Sequence, residues 1–139
     1  MSTEPNRRRD TMLVKDIMMR DPVTVSPFAT LRDALGLMKR HRLKCLVVEQ
    51  QDPHDAWGLI TYTNILKTIV AENGDIDLIN VYDVCAKPAI GVGESLDVKH
   101  VASLMTSSVV KRVLVLDDNR LLGLVTMDDI VGTVMDLIE

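Results

Sequence analysis

Apolar residues at Leu31, Ala34, Leu35 and Met38 follow the i, i+3, i+4, i+7 spacing of a helix with one buried face. Thr30 is a suitable N-cap for it, with Asp33 in the first turn. The same face recurs at Val98, Val101, Ala102 and Met105, behind a cap at Asp97. Short apolar runs over 45–49 and 57–60, and over 113–117 and 121–125, predict paired strands. The second pair is joined by the polar tetrapeptide Asp117-Asp118-Asn119-Arg120, which predicts an antiparallel hairpin. Brief extended stretches are expected at 22–25 and 89–92, each after a lead-in segment at 14–20 or 81–87. A last helix closes each set, with Ile65, Leu66, Ile69 and Val70 expected on one face and Ile130, Val131, Val134 and Met135 on its counterpart.

These elements are two copies of one unit. Val14-Lys15-Asp16-Ile17-Met18 lies on Val81-Tyr82-Asp83-Val84-Cys85 at an offset of 67 residues. The same offset pairs Val25 with Val92, Leu37-Met38 with Leu104-Met105, Lys44 with Lys111, and Leu46-Val47-Val48 with Val113-Leu114-Val115. It then drops to 65, placing Gly58-Leu59-Ile60-Thr61 on Gly123-Leu124-Val125-Thr126. The two extra residues belong to the polar segment 50–55, a loop by composition. The fold class expected is α/β of the α+β-like kind: two tandem β-α-β-β-α motifs packed as one pseudo-two-fold globule. Its parts would be a tail at 1–11, a first motif at 12–72, a linker at 73–80 and a second motif at 81–139.

Composition narrows the function. The chain has 139 residues, 47% apolar and 26% charged, ordinary values for a globular protein with a real core. Aromatics make up only 3%, so the core is aliphatic and no base-stacking platform is expected. A net charge of −4 disfavours general nucleic-acid binding, though a local basic patch could hold phosphates. Cys45 and Cys85 sit in apolar runs without metal-ligand spacing and read as buried core residues of a reducing compartment. The helix methionines read as core filler. No apolar stretch approaches the ~18 residues of a membrane span, and Arg7-Arg8-Arg9 is followed by no apolar signal region. A cytoplasmic location follows as the expectation, with the first residues a solvated tail.

The chemistry concentrates where each last strand runs into its helix. A helix N-terminus offers unpaired N–H groups and partial positive charge to an anion or an oxygen-rich ligand. Thr126 stands there, and Asp129, one turn on, can accept hydrogen bonds from two vicinal hydroxyls such as those of ribose. Thr-x-x-Asp also has the form of a capping box, a purely structural role. In the first copy Asn64 replaces the acid, with one acceptor oxygen and no charge.

Gly58-Leu59-Ile60-Thr61-Tyr62-Thr63-Asn64 and Gly123-Leu124-Val125-Thr126-Met127-Asp128-Asp129, set in a duplicated β-α-β-β-α unit, resemble the CBS motif, and two in tandem resemble a Bateman module. The resemblance extends over residues 12–138, with Asp16-Ile17-Met18, Pro22-Val23-Thr24-Val25 and His41-Arg42-Leu43 as further matching segments. It implies a regulatory module that binds an adenosine-containing nucleotide in the cleft between the motifs and passes occupancy to a partner or dimer mate. It also implies a homodimer. AMP, ADP and ATP are the ligands it first suggests; S-adenosylmethionine, NAD-type molecules and cyclic dinucleotides are also associated with the family. No metal or cofactor is implied.

Carried onto this chain, the favoured site comprises Ile90, Gly91 and Val92 beside the adenine, Lys111 and Arg112 for phosphate, and Thr126, Asp128 and Asp129 for ribose or phosphate. The weaker site comprises Val23, Thr24, Val25, Arg42, Thr61 and Asn64. Gly91 would let a ring approach the backbone, or serve only a turn. The basic residues could equally lie on a solvated face. No Ser/His/Asp, Cys/His or metal-ligand grouping suggests an enzyme, since His41, His54 and His100 fall in unrelated segments. The alternative is an interaction protein that contacts nucleic acid or an acidic partner through Arg7-Arg8-Arg9 and Lys39-Arg40-His41-Arg42.

Overall fold

The computed structural model describes residues 11–136, which form two compact units. One is continuous, Pro22–Ala89. It contains β2 (Thr24–Val25), α2 (Leu31–His41), β3 (Cys45–Val48), β4 (Gly58–Thr61), α3 (Tyr62–Ala71) and a 3-10 turn at Val81–Asp83. The other joins the chain before Pro22 to the chain from Ile90 onward. It contains α1 (Val14–Ile17), β1 (Met19–Arg20), β5 (Gly91–Val92), α4 (Val98–Ser107), β6 (Arg112–Asp117), β7 (Arg120–Thr126) and α5 (Met127–Met135).

The continuous unit has a three-stranded sheet in the order β2-β3-β4, with β2 parallel and β4 antiparallel to β3. Its discontinuous counterpart repeats this arrangement as β5-β6-β7 and adds β1 along the free edge of β7. The observed elements thus follow the expected β-α-β-β-α order in both copies. The short strands are narrower than the sequence suggested, two residues each in β2 and β5.

Repeat and compact unit are not the same thing. The lead-in of the first repeat folds onto the second: β1 pairs antiparallel with β7, and Val14 donates its N–H to Leu96 O at 2.8 Å. The lead-in of the second repeat folds onto the first, where Ala86 and Leu59 exchange both backbone hydrogen bonds at 2.8 and 2.9 Å. Each lead-in covers a sheet edge that would otherwise present unpaired backbone groups. Residues 73–80, the expected linker, pack against the continuous unit. Ile76 and Ile79 lie against the continuous unit's core, and Leu31 N–H donates to Ile79 O at 2.9 Å.

Local chemistry explains the elements. The Thr30 hydroxyl accepts from Asp33 N–H and the Asp33 carboxylate from Thr30 N–H, so α2 begins at a reciprocal cap. It ends where Arg42 adopts a left-handed backbone with φ 56°. Asp97 caps α4 by accepting from Lys99 N–H at 2.9 Å. The β6–β7 hairpin turns through Asp118 and Asn119, both at positive φ, as a two-residue loop of the primed type requires. The longer loop of the first copy is held by Asp55, whose carboxylate accepts from Gln51 N–H at 2.8 Å and from Lys87 Nζ at 2.7 Å.

Each unit has its own aliphatic core. Leu31, Ala34, Met38, Leu46, Val48, Ile60 and Ile65 build one; Val14, Val101, Met105, Val113, Val115, Val125 and Ile130 are the centre of the other. Met38 and Met105 are core filler, as expected, whereas Met135 is 62% exposed. Two further readings are corrected. Cys45 is buried but Cys85 is only half-buried, because the lead-in carrying it covers a sheet edge. The last helices do not bury all four expected residues. Ile65 and Ile69 in α3 pack against the core, while Leu66 and Val70 are 51% and 77% exposed. In α5 Ile130 is buried and Val131, Val134 and Met135 are exposed. In α3 the two pairs are turned by about 100° from each other, so one core contact cannot take both stripes.

Candidate functional site

Two equivalent corners form where β7 meets α5 and where β4 meets α3. At the first, Thr126 keeps an extended backbone and caps α5. Its hydroxyl accepts from Asp129 N–H at 3.3 Å and donates to Asp129 Oδ2 at 3.0 Å, and Thr126 N–H donates to the same Oδ2 at 2.8 Å. The cap thus uses a single carboxylate oxygen, leaving Oδ1 as an acceptor for another donor. The structural role foreseen for Thr-x-x-Asp is present, and it does not exhaust the carboxylate.

Arg112 lies directly across the β6–β7 ladder from Thr126. Cross-strand partners have Cβ atoms about 5 Å apart and share a sheet face. Their neighbours Val113 and Val125 belong to the core cluster, so Arg112 and Thr126 occupy the opposite face of the sheet. The Arg112 Nε is shielded from solvent and has no acceptor among the described residues. Lys111 is exposed, and its carbonyl accepts from Met127 N–H at 2.9 Å, fixing the start of α5 against β6. Asp128 is exposed in the first helical turn.

Ile90, Gly91 and Val92 lie on the other side of β6, Gly91 opposite Leu114 and Val92 opposite Val115. They are two strands from Thr126, with Gly91 and Val92 also two and three residues along the ladder from it, about 10 to 14 Å by ordinary strand geometry. Gly91 has a packing reason of its own, because a Cβ there would meet the Leu116 side chain at 2.5 Å.

At the other corner the Thr61 hydroxyl accepts from Asn64 N–H at 3.1 Å, and Asn64 Oδ1 accepts from Thr61 N–H and Oγ1 at 3.2 and 2.9 Å. The amide oxygen is committed to the cap, and what Asn64 has left is an NH2 donor. Cys45 lies across the ladder from Thr61. Val25 is buried, Val23 is half-buried, and the Thr24 hydroxyl donates to Glu49 Oε2 at 2.8 Å. Arg42 is exposed at the C-cap of α2, with Leu43 and Lys44 between it and β3.

Sequence reasoning missed three features. Arg20 pairs with Gly123 and Met19 with Leu124, so the first lead-in flanks the strand that carries Thr126. A cavity of about 420 Å³ opens beside α3, lined by Asn64, Lys67, Thr68, Glu72, Ile79, Asp83 and Val84. An apolar groove of about 290 Å³ runs between α4 and α5, lined by residues including Met105, Met127, Val131 and Met135. All three depend on which segments pack together, which local periodicity does not reveal. Burial pushes the Cys85 thiol above its ordinary value. Arg7-Arg8-Arg9 lies outside the described residues. Among those residues, no group of three or more His, Cys, Asp or Glu could hold a metal ion, and no helix is long and apolar enough to cross a membrane.

The family model for the CBS domain matches residues 14–71 and again residues 81–136. The chain belongs to the CBS domain family. It is a tandem CBS pair, and its two matches coincide with the internal repeat. An uncharacterised protein of Methanopyrus kandleri is 30% identical over 120 residues, which cover 84% of this chain and 60% of that protein. The CBS pair therefore spans somewhat less than two thirds of that relative. Among solved structures, the hexameric CBS-CP12 protein from bloom-forming cyanobacteria is 31% identical, with a TM-score of 0.85 over 93% of this chain and 75% of that one. The CBS domain pair of protein MJ0100, in complex with 5′-methylthioadenosine and S-adenosyl-L-methionine, is 28% identical. Its TM-score is 0.77 over 88% of this chain and 99% of that one.

Proposed function

We propose that this CBS pair is a regulatory sensor for an adenosine-containing ligand, with its principal site at the Thr126–Asp129 corner. The observation that carries the reading is the Asp129 carboxylate oxygen left unused among the described residues, at a helix N-terminus whose cap, Thr126, faces Arg112 across the ladder. Asp129 Oδ1 would accept from the ribose hydroxyls, and Arg112 with Lys111 would hold phosphate. The N-terminal N–H groups of α5 around Asp128 add positive potential. Ile90, Gly91 and the Val92 backbone would lie against the adenine, the Val92 side chain being packed on the core. The Thr61–Asn64 corner, with Val23, Thr24, Val25 and Arg42, would be the weaker site, because its amide oxygen is spent on the cap. MJ0100, a CBS pair of the same fold, is described in complex with two adenosine compounds, which supports the ligand class.

A sensor acts only if its ligand binds two conformations unequally. Occupancy would then be read by a partner protein or by a second copy of the chain. The exposed apolar stripes of α3 and α5 support a homodimer, since such patches on soluble proteins mark contact surfaces. The test is a thermal-shift panel of AMP, ADP, ATP, S-adenosylmethionine and GMP. An adenosine compound should raise the melting temperature with concentration, and GMP should not. A flat response to every adenosine compound, with the protein folded, would count against the reading.

A further inference from the structure

We propose that the cavity beside α3 binds a free α-amino acid with an aliphatic side chain, holding its carboxylate at Lys67 and Asn64 and its ammonium group at Glu72 and Asp83. The cavity lies within the continuous unit and shares only Asn64 with the corners described above. Its occupancy is therefore independent of adenosine binding at the Thr126 corner.

The chain builds this cavity by turning back on itself. Asn73 takes a left-handed backbone with φ 54°, and Gly74 N–H donates to Thr68 O at 3.1 Å. The return is close, since a Cβ at Gly74 would meet Ile79 Cδ1 at 2.5 Å. Ile79, Asp83 and Val84 of the returning segment then line the cavity together with Asn64, Lys67 and Glu72. Asn64 and Lys67 share one helix face by their i, i+3 spacing, and Glu72 stands at the C-cap of the same helix. At about 420 Å³ the cavity falls within the roughly 300–1,000 Å³ of small-molecule sites.

The charges in it are opposite and unspent. Lys67, Glu72 and Asp83 line one cavity, yet among the described residues no ion pair joins the lysine to either acid. Asn64 gives its amide oxygen to the cap and keeps its NH2. Asp83 Oδ2 accepts from Asn80 N–H at 3.3 Å, which leaves Oδ1 as an acceptor. Lys67 and Glu72 are about 7.5 Å apart along the helix axis. That gap admits a small head group of two opposite charges with a charge-assisted hydrogen bond of about 2.8 Å at each end. A simple anion would leave both acids unanswered, and a simple cation would leave Lys67. Ile79 and Val84 are half-buried and offer an aliphatic side chain an apolar surface.

Calorimetric titration of the full chain with L-leucine, 4-methylpentanoate and 3-methylbutylamine tests the assignment. The two analogues keep the side chain of leucine and carry one charge each. One leucine should bind per chain, about fivefold more tightly than either analogue, the scale of one half-exposed ion pair. Lys67→Met should lower leucine to the affinity of 3-methylbutylamine. Glu72→Gln should weaken leucine by about the same factor and leave 4-methylpentanoate at least as tightly bound. Both residues are exposed, so both variants should fold. No leucine binding, equal affinity for leucine and the two analogues, or a preference for leucine that survives both substitutions overturns the assignment. Each of these results leaves the adenosine reading standing, since AMP is titrated separately.

Discussion

Asp129 holds Thr126 through one oxygen only: Oδ2 accepts from both the Thr126 N–H and its hydroxyl. Asn64 does the same to Thr61 with its amide oxygen, so an amide can replace the carboxylate in the cap without loss of either bond. Stability and ligand binding at Asp129 can therefore be separated. Asp129→Ala should cost about 1 kcal/mol in urea unfolding, the usual loss of a helix cap. Asp129→Asn should stay within about 0.5 kcal/mol of wild type. Equal destabilisation by the two variants would show that charge, and not the cap, is what Asp129 contributes to the unliganded fold.

The exposed stripe of α5 is expected to be a self-association surface. Val134 is 53% exposed, so Val134→Asp should leave the far-UV circular dichroism and unfolding midpoint nearly unchanged. Sedimentation should then show a shift from dimer towards monomer at micromolar concentration. A wild-type protein that sediments as a monomer would rule the dimer out.

Acid should loosen the longer loop of the first copy. The hydrogen bond from Lys87, followed by that from Gln51 N–H, holds the Asp55 carboxyl below the usual carboxylate range. A carboxyl with a lowered native pKa stabilises the fold above its unfolded value, near 3.9, and the contribution disappears as pH falls through the native value. The difference in melting temperature between wild type and Asp55→Asn should be constant near neutrality and shrink below about pH 4. A difference independent of pH would indicate that only the geometry of the loop matters.

Most of the fold is legible along the chain, because its cues are local. Thr30 and Asp33 announce a helix start, Asp118 and Asn119 a tight turn, and the constant spacing from Val14 to Val81 a duplication. The capped corners at Thr61 and Thr126 are legible for the same reason. What is hidden is non-local. Nothing near Met19 says that it will pair with Leu124 in the other repeat, or that Ala86 will pair with Leu59. Periodicity likewise groups Ile65 with Leu66, although the first packs inward and the second is exposed. The shielded Nε of Arg112 is invisible in one dimension.

The thiols offer a check on burial. Desolvation pushes the Cys85 thiol up, so less thiolate is present at a given pH and labelling by a disulfide reagent at pH 8 should be slower than for a small free thiol. Cys45, buried in β3, should be slower still. In Cys85→Ser the faster of the two phases should vanish. Labelling of both thiols at the rate of a free thiol would contradict the packing of the second lead-in against β4.

Sensing depends on ligand occupying the Thr126–Asp129 corner. Amide shifts in two-dimensional nuclear magnetic resonance, recorded on ¹⁵N-labelled protein during addition of AMP, test it residue by residue. The largest changes are expected at Arg112 and across Thr126, Met127, Asp128 and Asp129, with their loss in Asp129→Asn. Saturating changes confined to the Thr61–Asn64 corner, or none anywhere, would contradict it.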